Sequence, residues 1–366
     1  MTSIPAERIA VIGTGLIGTS IAMASIRVGC RVAGWDADAQ ATAHAAERTD
    51  IWIARTFEEA VHEADVVVVC VPIPVTSALV GRALETASTA IVTDVASIKE
   101  HVVSEVRRSI GTAAAERYIG GHPMGGSERS GPEHASPTVV DGIVWVLTPD
   151  EAAPTGSIDR LEAWIERIGG RPVRMSPTRH DRLVAFVSHL PQVASTALMA
   201  LAATEESDEP DILLLAAGGF RDLTRLASSN PALWSQILLA NTEAIAEAID
   251  LFSARLQELR AMILDGRADA VEETFDHAKQ ARLRLTAKPQ VRAGVAVLQI
   301  PIPDRPGALA QLTSALADGR VNIEDLQIVH SPEGGRGTVH LTVAASSADD
   351  ALRVLASRSF DPVRLA

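Results

Sequence analysis

From Arg8 to about Pro172 the chain alternates short apolar runs with amphipathic stretches. The runs are IAVIG, RVAGW, ADVVVVCVP, AIVTDV, RYIGG and GIVWVL. They are nearly continuous and rich in β-branched residues, the pattern of strands buried on both faces of a parallel sheet. The stretches between them, Ser77–Glu85 and Ile98–Arg108 among them, read as helices. Strand and helix in alternation with short connections predict a doubly wound, Rossmann-type α/β domain over residues 1–174.

Beyond about Met175 the strand signal ends. The spacing predicts an apolar helix over Asp181–Thr204 interrupted at Pro191, and a short helical segment over Pro210–Leu226. A long helix then starts at Pro231, where Pro suits a first turn, and runs to about Asp265. Arg267–Thr286 reads as a last helix, which makes residues 175–287 an all-helical domain. The long helix carries Leu233, Ile237, Ile245, Ile249, Phe252, Leu256 and Leu259 around much of its surface. A second copy of the chain is the simplest cover for such a surface, so a homodimer is expected. Ala287–Gly294 reads as a linker. After it come a strand (VAVLQIPI), a helix (Ala308–Asp318), a strand (VNIEDLQIVH), a turn through Gly334, Gly335 and Gly337, a strand (TVHLTVAA), a helix (Asp349–Ala356) and a strand (DPVRL). That order, βαββαβ, is the ferredoxin-like unit, here over residues 294–366.

The 366 residues are 47% hydrophobic and 22% charged, which supports large buried cores and excludes a disordered chain. A net charge of −13 sets the molecule against nucleic acid and anionic membrane surfaces, and neither is an expected partner. Cys30 and Cys70 both lie in apolar runs, which excludes a disulfide scaffold and a Cys-rich zinc site; no metal is expected. The N-terminal stretch lacks the pattern of an export signal, and no eighteen apolar residues run uninterrupted. A cytoplasmic protein is therefore expected.

The first strand runs into Gly13-Thr14-Gly15-Leu16-Ile17-Gly18 and then a helix, the context that gives a GxGxxG string its meaning. Glycines there allow a tight turn and close approach of a pyrophosphate to the backbone, with the helix N-terminus facing the negative charge. The second strand ends at Asp36, whose carboxylate suits the ribose hydroxyls of NAD and repels a 2′-phosphate. With Val71, Pro72 and Ser97 at later strand ends, Gly13, Gly15, Leu16, Ile17, Gly18 and Asp36 form the expected NAD contacts.

Three polar islands fall where the carboxyl-end loops of such a sheet gather: Thr93–Lys99, Gly121–Glu128, and Ser188–Gln192 with Gly218–Arg225 downstream. His122 sits in what reads as a Gly-rich loop, where a structural His has little to pack against. His189 lies on an apolar helix, where a satisfied core His is the competing reading. Arg221 and Arg225 are spaced to share a helix face, either as solvated surface or as an anion site beside Gly-Gly-Phe.

Together these islands resemble the prephenate/arogenate dehydrogenase family of tyrosine biosynthesis, over residues 8 to about 285: the GTGLIG turn, DVASIK, HPMGGSE, SHLP, GFRDLTR and Pro231 with Trp234. Related β-hydroxyacid dehydrogenases lack HPMGGSE followed by SHLP. The resemblance implies NAD-dependent oxidative decarboxylation of prephenate, or of arogenate, in which the ring becomes aromatic. It implies that His122 accepts the proton of the ring hydroxyl, that Ser97 hydrogen-bonds this His beside the nicotinamide, and that Arg225 grips a substrate carboxylate. His189 and Trp234 would line the substrate. Glu128 is a candidate to meet the arogenate ammonium. Two positions depart from the family: Gln192 stands where many members have His, and Arg221 where some have Lys. The C-terminal unit resembles an ACT domain by its element order, its Asp304-Arg305-Pro306-Gly307 loop and Val321-Asn322-Ile323. That implies an amino-acid effector, tyrosine or phenylalanine, near Gly307 and Asn322; the competing reading is a module that only helps dimerise. A reading from another class is a non-catalytic amino-acid-binding regulator with a degenerate NAD site.

Overall fold

The computed structural model describes residues 7–111, 116–125, 131–209, 211–286, 294–303, 305–330 and 336–365. They form two compact units, Met1–Ala254 and Arg255–Ala366.

The first unit is built on an eight-stranded sheet in the order β3-β2-β1-β4-β5-β6-β7-β8. Its centre is β1 (Arg8–Ile12), β2 (Arg31–Trp35), β4 (Val66–Val69) and β5 (Ile91–Asp94). Val66–Val69 and the inner residues of β1 are fully buried on both faces, as their unbroken apolar runs demand. Helices cover the two faces: α1 (Leu16–Arg27), α2 (Ala39–Arg48), α3 (Phe57–Val61), α4 (Ile73–Thr86) and α5 (Glu100–Ile110), then α6 (Thr155–Arg167). On one side Trp145 and Trp164 meet edge to face within a core that includes Ile21, Leu147 and Leu161. The sheet is not wholly parallel. β6 (Tyr118–Pro123) runs antiparallel to β7 (Val144–Pro149), and two short strands, β3 (Trp52–Ile53) and β8 (Arg171–Arg174), extend the edges. These have exposed positions and too few apolar residues to announce themselves.

Two helical expectations are corrected. The helix expected to break at Pro191 is continuous over Pro177–Glu205. It is α7 (Pro177–Val184), a π-turn over Ala185–His189, and α8 (Leu190–Glu205). Pro191 lacks an N–H and its ring crowds the carbonyl four residues back; the wider π-turn takes up that conflict without ending the helix. By length and composition Pro177–Glu205 is long and apolar enough to cross a membrane. Only 28% of its apolar stretch is buried, but the helix buries His180, Asp181, His189 and Gln192. Downstream come α9 (Gly218–Thr224) and a 3-10 turn over Arg225–Ser228. The single long helix expected from Pro231 is in fact two, α10 (Pro231–Ala240) and α11 (Thr242–Leu264), parted at Asn241. Asn241 leaves helical geometry because its side chain is used elsewhere, as described below.

The second unit holds the end of α11, then α12 (Ala268–Thr286) and a four-stranded antiparallel sheet in the order β10-β11-β9-β12. The strands are β9 (Val295–Pro303), β10 (Asp325–His330), β11 (Arg336–Ala344) and β12 (Val363–Arg364), with α13 (Ala308–Asp318) and α14 (Ala348–Ser357) between them. Leu298, Ile300, Leu312, Leu316, Leu341 and Leu355 form its core. Gly337, expected in a turn, lies within β11 opposite His330; Gly334 and Gly335 fall outside the described residues.

Candidate active site

The glycine turn between β1 and α1 is fixed by backbone. Gly13 holds φ +98°, and its N–H donates to the Trp35 carbonyl at 2.8 Å. A Cβ at Gly13 would lie 2.3 Å from the Cys70 carbonyl oxygen, and one at Gly18 would lie 1.9 Å from the Gly13 carbonyl oxygen. Gly15 differs: nothing lies within 4 Å of where its Cβ would be. As N-cap of α1 it offers no capping side chain, and the first turn, with Leu16 and Ile17, holds no acidic residue. Uncapped N–H groups beneath open space are what a pyrophosphate needs. Asp36, just past β2, accepts from the Thr14 N–H (2.7 Å) and the Asp38 N–H (2.9 Å). Its carboxylate is thereby held over the glycine turn, with lone pairs left for ribose hydroxyls. Val71 is half-buried against the turn, and exposed Pro72 caps α4. The residues present fit a dinucleotide.

At the carboxyl end of β5, Asp94 and Lys99 form an ion pair with no solvent exposure. Asp94 also accepts from the Tyr118 hydroxyl (2.8 Å), the Gly121 N–H (3.0 Å) and the Ala96 N–H (2.9 Å), while Lys99 Nζ donates to the Gly121 carbonyl at 2.6 Å. Burial drives Lys99 below its ordinary range and Asp94 opposes the shift. The bonds to Tyr118 and to both backbone groups of Gly121 tie this pair to the strand that presents His122.

His122 is the penultimate residue of β6, in register with Val146, and not in a loop. Its Nδ1 lies 2.8 Å from His180 Nε2, the rings edge to face. His180 Nδ1 in turn lies 2.6 Å from Asp181 Oδ1. Asp181 Oδ1 also accepts from the Lys99 N–H and Oδ2 from the Glu100 N–H, each at 2.8 Å, which closes the N-terminus of α5. Burial first, then the repulsion that His180, Lys99 and His189 would exert on a second positive charge, hold the His122 imidazole well below its usual range. His122 is therefore neutral across physiological pH. Half-buried Ser97, expected as its partner, makes no hydrogen bond with it among the described residues; His180 takes that place.

His189, the last residue of the π-turn, is buried beside Trp234, whose ring meets it edge to face at 6.0 Å. Asn241 Nδ2 donates to the Asp181 carbonyl (2.9 Å) and approaches His189 Nδ1 at 3.3 Å. With Nδ1 accepting, the His189 proton sits on Nε2, which leaves that ring a donor. Burial lowers its pKa to about 4, against the opposing pull of Asp181.

Gln192, one turn beyond His189, is buried: its Nε2 donates to the Leu226 carbonyl at 2.8 Å and to Thr196 Oγ1 at 3.3 Å, and its Oε1 accepts from Ser229 Oγ at 3.3 Å. It thus ties the turn that begins at Arg225 to the helix that carries His189. Arg221 and Arg225 are both exposed. They do not share one regular helix face, because Arg221 lies in α9 and Arg225 opens the 3-10 turn after it. Glu128 falls outside the described residues. In the second unit Gly307 adopts φ +88° and lines a cavity of about 260 Å³ with Pro306, Leu309 and Ile328. Asn322 does not line that cavity, and its amide donates to Glu324 at 2.6 Å.

Sequence reasoning missed His180, Asp181 and Asn241, and it placed Lys99 in the island Thr93–Lys99 without giving it a role. The Asn241-Thr242-Glu243 string is a capping signal inside an apolar run; nothing local marks His180 or Asp181.

An anion-ready glycine turn and neutral imidazoles along one edge of a doubly wound sheet define a dinucleotide-dependent dehydrogenase. Comparisons with known proteins specify it further. Residues 21–174 match the nucleotide-binding domain of prephenate dehydrogenase, and residues 176–277 match its dimerization domain. Prephenate dehydrogenase of Bacillus subtilis (strain 168) is 30% identical over 354 residues, spanning 95% of this chain and 94% of that protein. Cyclohexadienyl dehydrogenase of Zymomonas mobilis is 32% identical over 295 residues, 78% of this chain and 98% of that one. Among solved structures, Aquifex aeolicus prephenate dehydrogenase in complex with hydroxyphenyl propionate and NAD+ gives a TM-score of 0.72 at 27% identity, covering 78% of this chain and 100% of that one. Synechocystis arogenate dehydrogenase gives 0.67 at 27%, covering 76% and 99%. The chain belongs to the prephenate dehydrogenase family.

Proposed function

We propose that the protein converts prephenate and NAD+ to 4-hydroxyphenylpyruvate, CO2 and NADH. The observation that carries this reading is the neutral His122 imidazole at the end of β6, bonded through Nδ1 to His180 at 2.8 Å. Bound NAD+ supplies the hydride acceptor. His122 takes the proton of the C4 hydroxyl as the C4 hydrogen departs with its electron pair. The electron pair of the C1–carboxylate bond then enters the ring, CO2 leaves, and the ring oxygen recovers a proton as phenol. Aromatisation drives the sequence, so the protein's work is placement and one proton transfer. His189, with Nε2–H free to donate, and Trp234 are the proposed substrate contacts beside it. Arg225 is proposed to hold a substrate carboxylate, which a guanidinium meets with two parallel bonds, and Arg221 to add charge nearby.

Arogenate is the second substrate reading, supported by the likeness to an arogenate dehydrogenase structure. The division into residues 1–174, 175–287 and 294–366 is proposed on function: cofactor, substrate and dimer contact, and regulation. Exposed Leu201, Leu214, Leu215, Leu239 and Leu251, inside or beside the segment that matches a dimerization domain, support a homodimer. An ACT-type effector role, for tyrosine or phenylalanine, rests on the βαββαβ order and on Gly307 beside its cavity. A cytoplasmic location completes the proposal.

Incubating the purified protein with NAD or NADP, each with prephenate or arogenate, tests it by absorbance of the reduced cofactor. Rapid reduction of NAD with prephenate is expected. Reduction in none of the four, with tyrosine or phenylalanine still bound, would instead make the chain a non-catalytic regulator.

A further inference from the structure

The bonds behind His122 form a directed chain. Both oxygens of Asp181, only 3% exposed as a residue, accept backbone N–H groups, from Lys99 and Glu100. The bond of 2.6 Å to His180 is then one that His180 Nδ1–H donates. A neutral His180 with its proton on Nδ1 presents a bare Nε2, which can only accept. With His180 in that neutral form, the contact of 2.8 Å to His122 is one that His122 Nδ1–H donates. The lone pair of His122 is left on Nε2, the nitrogen that has no hydrogen-bond partner among the described residues.

We infer that Asp181 and His180 are positioning residues that fix the tautomer of His122, so that Nε2 is the atom that removes the substrate proton. The inference rests on the proposed function and adds to it the atom and its orienting pair. The same geometry balances a longer transfer. As His122 Nε2 gains the hydroxyl proton, its Nδ1 proton can pass to His180 Nε2, and the positive charge comes to rest beside Asp181. The charge then sits against a carboxylate rather than on the ring hemmed in by Lys99. Free neutral histidine prefers its proton on Nε2, so the arrangement imposed here is the less common one and can be recognised.

Long-range 1H–15N spectra of the histidine rings test this directly, with the His122 signals assigned by their loss in His122→Asn. The expected result is His122 protonated on Nδ1 in the unaltered protein. Asp181→Asn should move that proton to Nε2 and lower kcat about a thousandfold or more, with the Kd for NAD changed less than twofold. His122 protonated on Nε2 in the unaltered protein would overturn the inference. So would a folded Asp181→Asn variant with kcat within a few-fold of normal. Should Asp181→Asn fail to fold, the spectrum of the unaltered protein decides alone. If His122→Asn itself leaves kcat intact, the proposed base is wrong; if it abolishes turnover while Asp181→Asn does not, only the orienting pair is wrong.

Discussion

The glycine turn and the histidine cluster lie along the same edge of the sheet and are built in opposite ways. The turn is made of consecutive residues and backbone atoms, and its specificity is space: packed solid beneath Gly13 and Gly18, open above Gly15. The cluster is made of side chains from β6, α7, the π-turn and the break at Asn241, and its specificity is the direction of each hydrogen bond. A binding surface for a large anion tolerates solvent and needs only N–H groups and room. A proton acceptor needs a defined tautomer and charge, which calls for burial and a full set of partners. The two regions should therefore fail differently.

The largest effect is expected at the buried pair beneath the cluster. Lys99→Met strands the Asp94 carboxylate without its cation and should cost about 3–5 kcal/mol in denaturant unfolding, despite the matched volume. A loss below about 1 kcal/mol would mean that the three other donors to Asp94 suffice. In the turn the two kinds of glycine should separate. Gly18→Ala, with its Cβ driven into the Gly13 carbonyl, should lose about 1–3 kcal/mol of stability. Gly15→Ala should unfold at the normal denaturant concentration yet bind NAD about tenfold more weakly, as calorimetry would record. Equal behaviour of the two variants would erase the distinction between packed and open glycines. The smallest effect is a pH slope. The folded state keeps His189 neutral down to about pH 4, whereas the unfolded chain protonates it near 6.5. The unfolded state then binds more protons, so stability falls as pH drops from about 6.5 toward 4, by at most about 1.4 kcal/mol per pH unit for this ring, and His122 adds in the same direction. His189→Gln should flatten the slope measured by urea titration at each pH.

The same contrast governs what the amino-acid order discloses. The turn is legible because its parts are neighbours: strand, three glycines, helix, then Asp36 at the next strand end. His122 stands out through its glycines, although it belongs to β6 and not to a loop. The cluster's remaining bonds join residues far apart in sequence, His122 to His180 across 58 positions and Lys99 to Asp181 across 82. No local pattern encodes such partners. His180-Asp181 reads as the polar start of an apolar helix, and Lys99 as the charged start of α5. Gln192 reads in sequence as a mere departure from the family, whereas in the structure its amide spans Leu226 and Ser229. Pro191 misled for a physical reason: a π-turn can absorb a proline that an α-helix cannot.

Single-turnover oxidation of prephenate by His122→Asn, followed by absorbance of NADH alongside a measured Kd for NAD, tests the central claim most directly. The account predicts a rate lowered by about a thousandfold or more with NAD affinity unchanged within twofold. A rate within a few-fold of the unaltered protein would contradict it, because the imidazole at the end of β6 would not be the group that receives the proton.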